Sequence, residues 1–341
     1  MVDLAALAAN YQHFVQASRG GSVAAVVKAN AYGLGAAPVA VSLWAHGCRD
    51  FFVATCDEGV TLRHELPTAR IFVFEGARAE SAAALAGARL IPVLNHAGQR
   101  HCWRPYRDLP CAVHVDTGMC RLGFDQPVAA TDFAGFNVAL LLTHLACADD
   151  PPHPLNAIQL DRFQEVARHF PSVPTSIGNS AGWLAGAAFQ GDLGRPGIGL
   201  YGGNPFLSDA NPMCPVASLR GEILQRRRVS AGTSIGYGAT TVTARDTELA
   251  VIGVGYADGL PRLLSGSGEV AVGGSRCPII GRISMDLTIV DVTGTTAAVG
   301  DWVEFFGQVV TVDEVAGWAQ TLAYEVLTGL GGRLQRQYLH P

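Results

Sequence analysis

The sequence predicts an α/β protein: an N-terminal (β/α)8 barrel followed by a mostly antiparallel β domain. Short apolar runs alternate with helix-length, alanine-rich segments eight times before residue 203, which is typical of parallel strands joined by helices. After residue 212 the helix-length segments give way to closely spaced β-type runs with glycine turns. We therefore expect a barrel domain over 1–211 and a β-rich domain over 212–341.

The elements follow in chain order. Asp3 is a suitable N-cap for a first helix through residue 16. A (β/α)8 barrel closes with eight strands, each followed by a helix, and the sequence predicts that number. The predicted barrel strands are AAVVK (24–28), FFVA (51–54), IFVF (71–74), LIPVL (90–94), CAVHVD (111–116), VALLLTHL (138–145), TSIGNS (175–180) and LGRPGIGLYG (193–202). The second domain begins with ASLRGEILQRRRV and continues through TELAVIG, GEVAVGG, RCPIIGRIS, LTIVDVT and DWVEFFG.

Polar side chains recur at the last residues of the predicted barrel strands or just beyond them. They are Lys28, Arg121, His144, Ser180 and Arg195. In a (β/α)8 barrel the carboxyl ends of the strands meet at one mouth, where active sites form. The spacing therefore predicts that these five side chains share a site.

Composition excludes several classes of function. The net charge is −5 and the pI is about 6.0, which gives no basic surface for nucleic acid or for an anionic membrane. No run of 18 apolar residues and no basic leader is present, so we expect a cytoplasmic protein without a membrane segment. The eight cysteines form no C-x-x-C pair and predict reduced thiols, with neither a disulfide framework nor a metal site.

Lys28 is the only lysine among 24 lysine and arginine residues. It ends an apolar run, where a charge is costly. A surface lysine would be one explanation, but arginine fills that role throughout this chain. Arginine does not lose a proton to form an imine, whereas lysine does. The lone lysine therefore indicates covalent chemistry with a carbonyl compound.

Nine motifs together resemble the alanine racemase family in order and spacing. They are VVKANAYGLG, HVDTGMCRLG, LTHLACADD, GNSAG, GRPGIGLYG, IGYGAT, GVGYADG, GRISMD and AYEVLTGLGGR, and the similarity runs from about residue 3 to residue 338. The resemblance implies a barrel that binds pyridoxal 5′-phosphate (PLP), a C-terminal β domain, and a homodimer with shared active sites. It also implies an isomerase that interconverts L-alanine and D-alanine and supplies D-alanine for peptidoglycan.

The resemblance assigns four catalytic roles. Lys28 holds PLP as a Schiff base and is one acid–base group, and Tyr256 of the partner subunit is the other. A phenol is a weak base at neutral pH, so His144 is expected to hydrogen-bond it. Arg195 is expected to hold that imidazole and to face the pyridine nitrogen of PLP, which keeps the ring neutral because guanidinium accepts no proton.

The remaining site residues are also implied by the resemblance. The cofactor phosphate is assigned to Ser180, to the main-chain N–H groups of Gly197 and Ile198, and to the hydroxyls of Tyr32 and Tyr324. The substrate carboxylate is assigned to Arg121 and the N–H of Met285 from the partner. A narrow passage into the site is assigned to Asp149, Arg282, Asp286 and Tyr324.

Three features depart from the family pattern. His114 stands where many members carry a carbamylated lysine that orients Arg121, so either the imidazole makes another contact or an anion occupies the gap. Cys120 replaces a glycine and is expected to be a small buried residue. The chain reaches its first helix almost at once, so the strand that ties the β domain to the amino terminus is expected to be missing.

Alternative functions remain open at this point. A serine or broad-specificity racemase would share the chemistry, and Tyr324 argues for alanine. A non-catalytic PLP-binding protein would resemble the barrel but would lack the β domain with Tyr256 and Met285. A two-domain barrel decarboxylase would need an acidic partner for the ring nitrogen of PLP. Arg195 is basic and therefore argues against this function.

Overall fold

In the computed structural model, which describes residues 1–207 and 210–340, parallel strands alternate with helices through the first half of the chain. The predicted fold class is confirmed. Seven strands pair in sequence order: Ala25–Val26, Asp50–Val53, Arg70–Val73, Ile91–Leu94, Pro110–His114, Asn137–Leu142 and Thr175–Ser176. The helices are Leu4–Gln16, Ala36–Ala45, Cys56–Glu65, Ala82–Gly87, Ala97–Trp103, Pro154–Ala167 and Ser180–Ala185.

An eighth strand, Leu193–Gly194, closes the ring. It pairs in parallel with Ser22–Val23, which continues into the first strand of the sheet. On its other side, the N–H of Asp192 donates to the carbonyl oxygen of Thr175 at 2.8 Å, and the N–H of Arg195 donates to that of Gly178 at 2.9 Å. The ring therefore brings the ends of all eight strands to a common mouth.

The barrel strands are apolar without alternation because both of their faces are buried. Every residue of Asp50–Val53 and of Ile91–Leu94 is buried. The N-terminal ends of two helices are fixed by caps that the sequence supplies. The Asp3 side chain accepts from two N–H groups of the first helix, as predicted, and Thr55 and Glu58 form a capping box on the helix Cys56–Glu65.

The amino terminus is tied to the carboxyl terminus, so the expectation of a missing strand is wrong. Val2–Asp3 forms a short strand that pairs in parallel with Tyr338–Leu339. The Met1 ammonium donates to the carbonyl oxygen of Ser218 at 2.7 Å. Two residues suffice for this pairing, which is too short for an apolar pattern to reveal.

The second domain is a six-stranded antiparallel sheet. Ile279 and Val290 form a bridge between strands at its two edges. The strands stand in the spatial order Ser275–Pro278, Glu269–Val272, Trp302–Phe306, Leu219–Val229, Thr247–Ile252 and Thr288–Asp291. Each β-type run of the sequence thus contains one strand, while Ser234–Ile235 pairs separately with Thr241–Val242.

Two short helices, Val312–Trp318 and Ala323–Thr328, follow the sheet. The second places the ring of Tyr324 5.8 Å from the ring of Tyr32, at the mouth of the same chain's barrel. The β domain therefore contributes Tyr324 and Thr328 to the mouth of its own barrel. Within 1–207 and 210–340, none of the helices has the length and apolar character needed to cross a membrane.

Candidate active site

A cavity of about 560 Å³ opens at the mouth of the barrel. It brings together ten of the residues named from the sequence: Lys28, Tyr32, His114, Arg121, His144, Ser180, Arg195, Gly197, Ile198 and Tyr324. The five strand-end residues are all among them, so the predicted convergence at one mouth is confirmed. Tyr256, Met285, Arg282, Asp286 and Asp149 do not line this cavity.

Lys28 enters the cavity from a strained turn. The four residues that follow it, Ala29 to Tyr32, all have left-handed backbone conformations with φ between 51° and 55°. Left-handed conformations cost roughly 1–2 kcal/mol for each non-glycine residue, so the surrounding structure must hold this turn. The Lys28 ammonium lies 5.7 Å from the centre of the Phe74 ring. Burial lowers the pKa of Lys28, the charge of Arg121 lowers it further, and Glu58 opposes both.

Arg195 is a buried cation held by oxygen atoms of the barrel. One amino group donates to the Ser176 hydroxyl, and the other donates to the carbonyl oxygen of Thr143 at 2.6 Å and to that of Ile177 at 3.2 Å. Arg195 is 3% exposed. Burial lowers the pKa of its guanidinium to about 9, which leaves it charged at neutral pH.

His144 contacts Arg195 through Nδ1, at 3.5 Å from Nη2. Because guanidinium only donates hydrogen bonds, Nδ1 must accept, and the proton of the neutral imidazole lies on Nε2. Burial, followed by the charges of Arg195 and Arg121, holds the pKa of His144 well below its usual range. His144 therefore presents an N–H donor.

His114 is held in the opposite tautomer. Its Nδ1 lies 2.8 Å from Oδ1 of Asn95. The Asn95 amide nitrogen donates to the carbonyl oxygens of Phe74 and Val93 at 3.0 and 2.8 Å, which fixes Oδ1 as an acceptor. Nδ1 of His114 therefore carries the proton, and Nε2 is a bare acceptor. Burial first, and then the charges of Arg195 and Arg121, lower the pKa of His114 to about 3.

The cavity includes an anion pocket beside Lys28, formed by Tyr32, Ser180, Gly197 and Ile198. The Ser180 hydroxyl oxygen accepts from the N–H groups of Gly197 and Gly199 at 2.9 and 3.2 Å, so its own proton is free to donate. The Gly197 N–H is paired with Ser180 in this structure, and its assignment to the cofactor phosphate stays a prediction. What Gly197 provides is room, because a Cβ there would lie 2.3 Å from the Tyr32 hydroxyl. The Ile198 N–H makes no hydrogen bond within the described residues.

Arg121 is exposed at the rim and forms no hydrogen bond or ion pair within the described part of the chain. The expectation for Cys120 beside it is wrong, because this thiol is exposed. Its backbone has φ of 57°, the left-handed region in which glycine carries no steric cost. The left-handed backbone therefore explains why the family pattern has glycine at this position. Burial of the side chain does not explain it.

Tyr324 narrows the rim on the side of the β domain. It is 40% exposed, and burial together with the nearby Asp149 carboxylate raises the pKa of its hydroxyl to about 12. The Asp149 charge acts on Tyr324, and the role of these two residues in framing a passage stays a prediction.

Tyr256 and Met285 lie together on a different surface. They are 42% and 53% exposed. The Tyr256 N–H donates to the carbonyl oxygen of Ser284 at 3.1 Å, and the Ala257 N–H donates to that of Met285 at 2.9 Å. Asp286 follows Met285 in sequence and is also exposed. The two loops form one projecting unit outside the cavity of their own chain.

Several residues that shape the site were missed by sequence reasoning. They are Asn95 and Gln99 behind His114, Thr143 and Ser176 behind Arg195, and Glu58 behind the turn that follows Lys28. Asn95 directly follows the strand Ile91–Leu94, so the strand-end signal was available for it. The described residues contain no group of three or more His, Cys, Asp or Glu side chains that could hold a metal ion.

Comparison with known proteins gives a consistent result. Residues 2–205 match the family described as "Alanine racemase, N-terminal domain", and residues 216–338 match "Alanine racemase, C-terminal domain". The alanine racemase of Rhodospirillum rubrum is 44% identical over 353 residues, covering 99% of this chain and 94% of that protein. The biosynthetic alanine racemase of Agrobacterium fabrum is 44% identical over 362 residues, with coverage of 99% and 93%.

A solved structure is similar over the same length. The crystal structure of alanine racemase from Bartonella henselae with covalently bound pyridoxal phosphate has a TM-score of 0.93 and 37% identity, covering 99% of this chain and 98% of that chain. Both domains are included in this similarity.

Proposed function

The chain belongs to the alanine racemase family, and from this membership we propose that it binds PLP through Lys28 and interconverts L-alanine and D-alanine. The observation that carries the proposal is the cavity itself. It holds the chain's single lysine, with a lowered pKa, beside a buried arginine and an anion pocket. PLP, when bound, supplies the electron sink that stabilises negative charge at the α-carbon of an amino acid.

The residues present fit this cofactor. A phosphate needs donors, and the Ser180 hydroxyl, the Ile198 N–H and the hydroxyls of Tyr32 and Tyr324 converge on the cavity. Glycine at position 197 allows the Tyr32 hydroxyl to approach the main chain, because a Cβ there would lie 2.3 Å from it. Lys28 would bond the aldehyde carbon. Arg195, whose Nε–H makes no hydrogen bond within the described residues, would face the ring nitrogen as a donor that does not accept its proton.

Racemisation requires one acid–base group on each face of the α-carbon. We assign these roles to Lys28 and to Tyr256 of the partner subunit. Tyr256 is exposed and outside the cavity of its own chain, which supports a homodimer in which each barrel receives the loops of the other copy. His144 presents Nε2–H and would donate to the phenol oxygen, which stabilises the phenolate and so increases the fraction of Tyr256 in the form that accepts the α-proton.

The substrate carboxylate requires a cation, and Arg121 is the exposed, unpaired one at the rim within the described chain. Met285 of the partner subunit would add its N–H. Asp149 and Tyr324 would frame the passage with Arg282 and Asp286 of the partner subunit. The narrow rim would favour alanine over larger substrates by steric exclusion.

We further propose that this activity supplies D-alanine for peptidoglycan and that the protein acts in the cytoplasm. Membership of the alanine racemase family supports the first statement. The second is supported by eight free cysteines, which suit a reducing compartment. Deletion of the gene should produce a requirement for D-alanine, and fractionation should recover the protein with cytoplasmic markers.

The decisive experiment combines cofactor trapping with turnover. Borohydride treatment of the purified protein should fix PLP on the peptide that contains Lys28, the single lysine, and D-alanine should form from L-alanine. Exchange of the α-proton for deuterium separates a racemase from a PLP carrier, and release of carbon dioxide would identify a decarboxylase. A protein that takes up no PLP would overturn the proposal. Turnover of L-serine at the rate of L-alanine would replace it with a broad-specificity racemase.

A further inference from the structure

The left-handed turn after Lys28 is held from outside the cavity by Glu58. One carboxylate oxygen of Glu58 accepts from the N–H of Ala29 at 2.7 Å. The other accepts from the N–H of Ala54 at 2.7 Å and, more weakly, from that of Thr55 at 3.4 Å. Ala29 is the first residue of the turn and directly follows Lys28. The carboxylate therefore links the loops that follow two neighbouring barrel strands.

Capping of its own helix does not account for this arrangement. A capping-box glutamate pairs with the N–H of the cap residue, which here is the weak contact to Thr55. The two short hydrogen bonds go instead to Ala54 and across to Ala29. Both oxygens must accept, so an amide at this position would face one N–H with its own donor group.

The turn has two functional ends. Lys28 precedes it, and Tyr32 is the last non-glycine residue in it with a left-handed backbone. Tyr32 is 6% exposed and its ring packs 4.7 Å from the ring of Tyr201. A strained backbone segment persists only where its surroundings over-determine it, and Glu58 supplies a charge-assisted hydrogen bond at the Lys28 end.

We propose that Glu58 is a positioning residue, whose carboxylate fixes the Lys28–Ala29 peptide in the left-handed turn and so sets the direction in which the Lys28 amine enters the cavity. This role rests on the proposed function only in that Lys28 must bind PLP. Glu58 lines a groove on the outside of the barrel and not the active-site cavity, so it acts through Lys28 and not on substrate.

Charge adds to the geometry. The groups that act on the Lys28 amine are Arg121, which lowers its pKa, and Glu58, which raises it, while His144 and Arg195 share the cavity. His144 is neutral at physiological pH because its pKa is lowered. Loss of the Glu58 charge should therefore lower the pKa of Lys28, in addition to releasing the turn.

The test compares Glu58→Gln with Thr55→Ala. Thr55→Ala removes the cap side chain of the same helix and leaves the Ala29 and Ala54 contacts, so it reproduces a purely helix-capping loss. Glu65→Gln removes a charge from the same outer groove without touching the turn. We expect faster hydrogen–deuterium exchange in peptides covering 28–33 for Glu58→Gln alone, and slower trapping of PLP on Lys28 by about tenfold. For racemisation, kcat should fall about tenfold with KM within twofold of wild type.

Equal behaviour of Glu58→Gln and Thr55→Ala in exchange and trapping would overturn the proposal. If Glu58→Gln does not fold, Glu58→Asp takes its place, since it keeps the charge and both acceptors on a shorter arm. Glu58→Asp should then show faster hydrogen–deuterium exchange than wild type in peptides covering 28–33, with a melting temperature like that of Thr55→Ala. Exchange at the wild-type rate would count against the role. Exchange and trapping do not depend on turnover, so a wild-type protein without racemase activity would reject the proposed function and leave this test intact.

Discussion

The barrel mouth and the β-domain loops both carry site residues, but they hold those residues in different ways. At the barrel mouth the side chains themselves are fixed, as for Arg195, which is 3% exposed and bonded to three oxygen atoms. In the β-domain loops the backbone is fixed and the side chains of Tyr256 and Met285 project into solvent. A side chain that is already packed serves its own chain, whereas one that projects from a rigid loop is suited to enter another molecule.

Replacing Lys28 tests the barrel mouth and should have the largest effect on the rate of racemisation. Lys28→Ala should lower racemisation by at least roughly 10⁴-fold, because both the covalent attachment and one acid–base group are lost. Lys28→Arg keeps the charge and should be equally inactive, since guanidinium forms no imine. Visible absorbance of bound PLP and D-alanine formation are the measurements, and substantial residual turnover in either variant would contradict the assignment.

Replacing Tyr256 tests the β-domain loops. Tyr256→Phe should lower kcat by roughly 10²–10⁴-fold and leave PLP trapping on Lys28 intact. Co-assembly of inactive Lys28→Ala and Tyr256→Phe chains then separates the two arrangements. Each mixed dimer would contain one site with both groups, so random pairing should restore about a quarter of wild-type activity. No restoration would indicate that each chain uses its own tyrosine.

The protonation of His114 at the barrel mouth can be changed selectively. Asn95→Asp places a carboxylate against Nδ1 of His114, where the partner atom now lies 2.8 Å away. An adjacent opposite charge raises a histidine pKa by roughly 1–3 units, from about 3. His114 should then gain a proton as pH falls from about 6 to 4 and repel Arg121. KM for alanine should rise about fivefold over that range.

Wild type should show no such rise in KM above pH 5, because its His114 stays neutral. The double variant with His114→Asn carries the same damage at residue 95 without the imidazole. A pH-dependent KM in the double variant would show that another group is responsible. Steady-state kinetics from pH 8 to 4 make the comparison.

The smallest effect is expected from the support of the projecting loops. Arg333 bridges Asp258 at 2.6 Å and Asp286 at 2.8 Å, which ties the Tyr256 loop to the Met285 loop. Arg333→Gln should lower kcat/KM about threefold through misplacement of both loops. Asp286 is exposed but Asp258 is buried, so Arg333→Gln should also lower the melting temperature by leaving the Asp258 carboxylate without its partner.

Arg276 provides a matched control for Arg333. It bridges Glu269 at 3.1 Å and Glu314 at 2.6 Å in the same β domain, away from both loops. Arg276→Gln should lower the melting temperature by less than Arg333→Gln, because both of its carboxylate partners are partly exposed, and should leave kcat/KM unchanged. Equal kinetic loss in both variants would mean that domain stability, and not loop position, is responsible.

Much of this architecture was predictable from local patterns. Buried parallel strands are continuous apolar runs, and the barrel mouth followed from polar residues at their ends, as Lys28 and Arg195 show. Short or strained features were not predictable. The two-residue strand Val2–Asp3 has no periodicity to detect, and Cys120 adopts a backbone conformation that its side chain does not signal.

The sequence by itself determined the fold class, the single lysine and the set of groups that meet at the barrel mouth, because periodicity and strand ends are local properties of the chain. Tertiary structure decided how those groups are presented. Asn95 and Arg195 fix His114 and His144 in opposite tautomers, and Glu58 holds the turn after Lys28. These contacts join residues distant in sequence, and a proton position or a backbone direction is set by the partner atom, which composition and spacing do not reveal.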